Sequence, residues 1–149
     1  MVMKNILAVL VLSAGLFAND IIIKKSDYTV DETIANIKTI VKEKGFGVFA
    51  VINHQGNAKM VDMTLNEAKV IIFGNPKIGT RLMQENITIA LDLPLRVLVF
   101  KDDAGEVKIA YRDGSWIKSH HLLKTDELTN KVNKGLNAIT DKARKKKLS

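Results

Sequence analysis

Three histidines and no cysteine set the limits on what this 149-residue chain can do chemically. Without cysteine there is no thiol nucleophile, no disulfide and no thiolate metal site. His54 ends an apolar run and precedes Gln55-Gly56, at a strand-to-loop rim where a neutral imidazole could act as base or ligand. A half-exposed histidine closing a strand is the plainer reading and is favoured. His120 and His121 are adjacent, and neighbours on a strand face opposite sides, so they would not chelate together outside a loop. Asp92 stands between Leu91 and Leu93, just before Pro94. It is either a hydrogen-bond acceptor for a turn, the favoured role, or a poised carboxylate. His54, His121 and Asp92 are therefore candidates for catalysis without an assigned role. No metal site is expected, and no motif names a cofactor.

The most distinctive segment is Phe73-Gly74-Asn75-Pro76-Lys77-Ile78-Gly79-Thr80-Arg81-Leu82-Met83. Asn75 can cap a helix that has Pro76 at its first position, leaving free backbone N–H groups where the helix dipole favours an anion. Lys77 and Arg81 add charge, Thr80 adds a hydroxyl, and Gly79 allows close backbone approach. A plain helix start with solvated basic residues is the alternative, and spacing alone favours it. Trp116, the sole tryptophan, defaults to a core anchor, with a pocket wall or dimer contact as the sharper role. There is no Walker loop, dinucleotide fingerprint or nucleophile elbow.

These residues need a scaffold, and the pattern supplies one. Ile21–Lys25 predicts a first strand. Thr29 with Glu32 has capping-box spacing, Ile34, Ile37 and Val41 recur at helical intervals, and Gly45 stops that helix. Phe46–His54, apolar on both faces, predicts a buried central strand. Ala58–Leu65 is ambiguous, and Lys69–Phe73 predicts a third strand. A helix follows Asn75 to about Asn86, and Ile87–Leu93 is a short helical piece closed by Pro94. Arg96–Lys101 and Glu106–Tyr111 flank a turn at Asp102-Asp103-Ala104-Gly105, a hairpin. Thr125 opens a last helix, about 126–143, whose stripe of Leu128, Val132, Leu136, Ile139 and Ala143 is interrupted by a costly Gly135. The expected fold is an α/β (α+β) two-layer sandwich, a mixed sheet of about five strands packed by helices.

The first 18 residues read as a secretory signal: Lys4, an apolar run from Ile6 to Phe17, and small residues that place cleavage after Gly15 or Ala18. Export to the periplasm or beyond follows as an expectation, with no lipoprotein cysteine and no transmembrane span in the mature chain. The chain carries +7, but residues 19–141 hold 17 basic and 16 acidic side chains, a net of +1. Five basic residues crowd the tail, 142–149, where a weak contact with anionic lipid is the alternative to helix capping and solubility. Nucleic acid is a poor partner for an exported domain without a basic face.

The residues quoted resemble the prokaryotic domain-of-unknown-function 302 family, whose fold is called TT1751-like. The resemblance covers about Tyr28 to Leu123. It rests on Ile52-Asn53-His54 with Ala58, on Phe73-Gly74-Asn75-Pro76 with Gly79-Thr80 and Leu82-Met83, on Leu91-Asp92-Leu93-Pro94-Leu95, and on Tyr111 with His121. It implies a compact α/β sandwich, often dimeric, and no activity that carries over. The matching positions are His54, Asn75, Pro76, Gly79, Thr80, Asp92, Tyr111 and His121. Asn53 stands where the family shows Asp, which weakens an Asp–His pair that would orient the imidazole. Two functional expectations follow. One is an exported homodimeric module binding a small anionic ligand at Asn75, Lys77, Gly79, Thr80, Arg81 and Tyr111. The other is a His-dependent enzyme or metal site built from His54 and His121 with Asp92 or Tyr111. The first is favoured over an enzyme, and a structural dimer without ligand is a third possibility.

Overall fold

A computed structural model describes residues 20–124 and 126–146 of the chain. The expected signal segment and Thr125 lie outside the described residues, as does Lys147 of the basic tail. Five strands form one sheet: β1 (Ile22–Lys25), β2 (Gly47–Asn53), β3 (Ala68–Gly74), β4 (Leu95–Lys101) and β5 (Val107–Tyr111), in the order β1-β5-β4-β3-β2. Every pairing is antiparallel, so the sheet is not mixed and the architecture is α+β. The helices are α1 (Val30–Glu43), α2 (His54–Lys59), α3 (Pro76–Glu85), α4 (Gly114–His121) and α5 (Glu127–Arg144), with a 3₁₀ turn at Ile87–Leu91.

The register decides which side chains share a face. Tyr111, Val97 and Ile71 lie in one cross-strand row, all buried, on the face that α1 and α5 cover. Val30, Ile34, Ile37, Ile40 and Val41 of α1 complete this core with Leu128, Val132, Leu136, Ile139 and Ala143 of α5. The opposite face carries the row Ile23, Ala110, Leu98, Val70 and Ile52, one residue from each strand. Among the described residues no helix crosses that row; Trp116 and Ile117 of α4 close only one end of it.

Local signals act where they were expected. Thr29 and Glu32 form a reciprocal capping box, Asn75 accepts from the Lys77 amide at 2.9 Å with Pro76 at the first helical position, and Gly45 takes a φ of 73° after α1. Two expectations need correction. β2 is an edge strand and largely exposed, not central: the hairpin β4–β5 occupies the middle of the sheet instead. His54 does not end that strand but opens α2. The segment after Tyr111 also forms a helix, α4, capped by Asp113, which accepts from Ser115 and Trp116 amides. It docks tightly, because a Cβ on Gly114 would stand 2.3 Å from the Thr129 carbonyl oxygen.

Lys24 pins α5 to the sheet, reaching Asn137 Oδ1 at 3.0 Å, Thr140 Oγ1 at 2.9 Å and Asp141 Oδ1 at 3.1 Å. The Arg144 guanidinium, and after it Lys24, hold the Asp141 carboxyl below its usual range, against the opposing effect of partial burial. A carboxyl depressed in the folded state contributes stability above its unfolded value and loses it as pH falls through the folded one. Asp141→Asn is therefore expected to be less stable than the parent at neutral pH, with the two converging in acid. Urea unfolding across that range checks this, and a pH-independent difference would contradict it.

Candidate functional site

Two cavities lie near the Asp92–Pro94 turn, on opposite faces of the sheet. The first, about 350 Å³, opens where α3 and the Leu93-Pro94 segment fail to meet α5. Its walls are apolar: Phe46, Phe73, Leu82, Met83, Leu95 and Leu136 among others, with Phe49 at the lip. Polar groups are few, namely Asn75, Thr80 and Lys131. Two glycines shape it. A Cβ on Gly79 would meet Leu93 Cδ1 at an ordinary 3.7 Å, and a Cβ on Gly135 would meet nothing within 4 Å. Gly135 sits inside an 18-residue helix, where glycine costs about 1 kcal/mol relative to alanine. No contact of the described chain requires it, so its visible effect is to widen the cleft.

Of the six expected ligand residues, Asn75, Gly79 and Thr80 line this cleft. Lys77 and Arg81 lie on exposed positions of α3 and line neither cavity; the hydrogen bond and charge of Lys131, and to a lesser extent the Arg81 charge, hold the Glu127 carboxyl below its usual range. Tyr111 is buried on the helix-covered face and its hydroxyl donates to Asn137 Oδ1 at 3.0 Å. Sequence spacing missed Lys131 and misread Gly135 as a cost alone.

The second cavity, about 300 Å³, lies at one end of the uncovered sheet face and is lined by Val70, Leu98, Asp92, Arg96, Arg112 and Trp116, with neighbours. Arg112 stacks over the Trp116 ring at 4.7 Å, and His120 stacks on the same indole at 4.2 Å. Behind this wall is the arrangement that brings two of the candidates together. His121 Nε2 stands 2.6 Å from Asp92 Oδ2, and its Nδ1 stands 2.9 Å from Thr88 Oγ1. Asn86 completes the network, accepting from the Thr88 amide at 3.0 Å and hydroxyl at 2.8 Å, and donating to the His121 carbonyl at 2.7 Å. The Asp92 carboxylate accepts from Nε2–H, while Thr88 Oγ1 bridges Nδ1 and Asn86 Oδ1, so the ring is held from both sides. Both ring nitrogens are engaged and His121 is only 8% exposed. The pair ties α4 to the 3₁₀ turn and offers no free nitrogen to a substrate.

His54 is not part of this group. Asn53 pairs with Lys69 at one end of β3, whereas Leu95 pairs with Phe73 at the other. Those ends are separated by about 14 Å of strand. The structure does not bring His54 and His121 together, so a shared acid–base or metal site lacks its geometry. The reach of Asn86 and Thr88 to His121 had no counterpart in the sequence reading, which only ended α3 near Asn86.

A family described as "Domain of unknown function DUF302" matches residues 22–143. The chain belongs to the DUF302 family. The crystal structure of an uncharacterized conserved DUF302 protein from Bacillus stearothermophilus superposes with a TM-score of 0.78, covering 85% of this chain and all of that one at 20% identity. It therefore shares the fold. Among curated proteins, the chain is 36% identical over 110 residues to proteins named "Fluoride-specific ion channel FluC 1" from Brucella suis biovar 1 and "Fluoride-specific ion channel FluC 2" from Brucella melitensis biotype 1. The match takes in 74% of this chain but only 43% and 41% of those relatives. No helix among the described residues is long and apolar enough to cross a membrane.

Removing the Asp92 carboxylate leaves a buried imidazole without its partner, which costs about 1–3 kcal/mol. Asp92→Ala is expected to lower the unfolding temperature, and Asp92→Asn to lower it less. An unchanged melting curve for Asp92→Ala would remove the latch role.

Proposed function

We propose that this DUF302 chain is an exported, homodimeric binding module whose cleft takes a small anionic amphiphile. The apolar body lies against Phe73, Leu82, Met83 and Leu136, and the anionic head at Asn75, Thr80 and the Lys131 ammonium. The observation that carries this reading is Gly135, a destabilising helix residue with open space where its side chain would be, lining an apolar cleft. The Lys131 ammonium is shared with Glu127 at 2.7 Å, on an exposed surface where such a pair is worth little and yields readily to a ligand anion.

An anion agrees in charge class with the names of the Brucella relatives, fluoride-specific ion channels. A bare halide is disfavoured here, because an isolated charge loses its hydration among apolar walls without compensation. An amphiphile keeps its charge at the polar rim.

Fluorescence titration with 8-anilinonaphthalene-1-sulfonate, which joins an apolar body to a sulfonate, tests the cleft. Gly135→Leu fills the space and is expected to abolish the enhancement while raising stability by about 1 kcal/mol. Lys131→Glu is expected to weaken binding several-fold. Probe affinity unchanged by Gly135→Leu would sink the reading.

Export rests on the order of charge, apolar run and small residues in positions 1–18. Mass spectrometry of the native protein is expected to find a new N-terminus after Gly15 or Ala18. An intact Met1 on the cell-associated protein would exclude cleavage.

A further inference from the structure

The homodimer of the proposed function has a specific means of assembly in this chain. Between β2 and β3 the polypeptide leaves the sheet and forms an arm, residues 54–65. It is ordered by its own hydrogen bonds: Asn53 Oδ1 accepts from the Gly56 amide at 2.9 Å, the Ala58 carbonyl from the Met63 amide at 2.9 Å, and the Leu65 carbonyl from Gln55 Nε2 at 3.2 Å. Yet α2 buries no residue, and the arm continues with Met60 at 82% and Met63 at 65% exposure, with Val61 and Leu65 also exposed. The six-residue α2 leans on β3 without fully burying any of its residues, so on its own it is marginal in water. Four large apolar side chains on one exposed stretch mark a contact surface.

The same chain carries the complement. The row Ile23, Ala110, Leu98, Val70 and Ile52 runs across all five strands, and among the described residues no helix lies across it beyond α4 at one end. Five strands about 4.8 Å apart and about five residues long present on the order of 400 Å². A stable dimer buries about 800 Å² per partner. Face-to-face packing of two sheets alone therefore falls short by about half, and the exposed apolar arm is the surface available to add to it. Charge agrees as well. Asp62 of the arm forms no ion pair among the described residues, and neither do Arg96 and Arg112 beside the apolar row. Asp62 holds a left-handed φ of 57°, which aspartate tolerates and which turns the chain between Met60 and Met63.

We propose that two copies pack through their uncovered sheet faces and exchange arms, so that Met60, Val61, Met63 and Leu65 of each cover the edge of the other's sheet face, with Asp62 against Arg96 and Arg112. This rests on the homodimer reading and adds its geometry.

The absence of native cysteine makes the test clean. Met63→Cys carrying a nitroxide is mixed with methyl-labelled parent chain, and light scattering is measured on both. The expected result is a dimer in which the Val70, Leu98 and Ile23 methyl signals of the unmodified copy broaden, while reduction of the nitroxide restores them. Asp62→Arg and Leu98→Arg are each expected to give a folded monomer by circular dichroism and light scattering. A dimer without that broadening overturns arm exchange and leaves the homodimer standing. A monomeric parent chain overturns both.

Discussion

Everything distinctive in this molecule depends on a sheet that, among the described residues, is packed by long helices on one face only. The row Tyr111, Val97 and Ile71, with Val99, Ile109 and Phe73 beside it, meets the apolar stripes of α1 and α5. Each fully buried aliphatic or aromatic side chain contributes about 1.5–3 kcal/mol. That one interface outweighs the scattered surface ion pairs, most of which are worth under about 1 kcal/mol. Because α1 and α5 meet each other over the sheet, the shorter α3 and α4 are left to fill the ends. The cleft exists because α3 does not fill its end completely, and the Asp92–His121 pair exists because α4 must be tied down at its own.

Local chemistry was legible in the sequence and distant pairing was not. The capping box at Thr29 and Glu32, the stop at Gly45 and the Asn75-Pro76 start each depend on residues within a few positions, so spacing reveals them. β2 was misplaced because its side chains are apolar on both faces, which suits a central strand as well as an edge strand awaiting a partner. α4 escaped notice because its eight residues carry a weak apolar stripe, although Asp113 was a usable capping signal. Within the site, Asn75, Gly79 and Thr80 belong to one motif and were found together. Lys131 and Gly135 come from a helix some fifty residues later, and His121 reaches Asp92 across 29 positions. No periodicity encodes such meetings; only the assembled fold does.

The basic C-terminus, too, reads differently in three dimensions. Lys142 approaches Glu43 at 3.3 Å, Arg144 donates to the Lys25 carbonyl at 3.3 Å, and Lys146 lies over the Tyr28 ring at 5.4 Å. The Asp27 amide donates to the Arg144 carbonyl at 2.8 Å. Much of the charge read from sequence as helix capping and solubility thus also fastens the end of α5 to the β1–α1 corner. The net charge of the whole chain is a poor guide to its surface because several of these cations are already spoken for.

The register of β2 shifts between Val48 and Ala50, opposite β3. An outermost strand with unpaired amides and carbonyls is a template on which further chains can add without limit. An irregularity in its pleat disrupts the ladder such growth requires. Phe49, which sits at this irregularity and is largely exposed, also leaves the strand's regular alternation. The same local distortion that places an aromatic ring at the mouth of the cleft also interrupts the regular ladder on which edge-to-edge growth would depend.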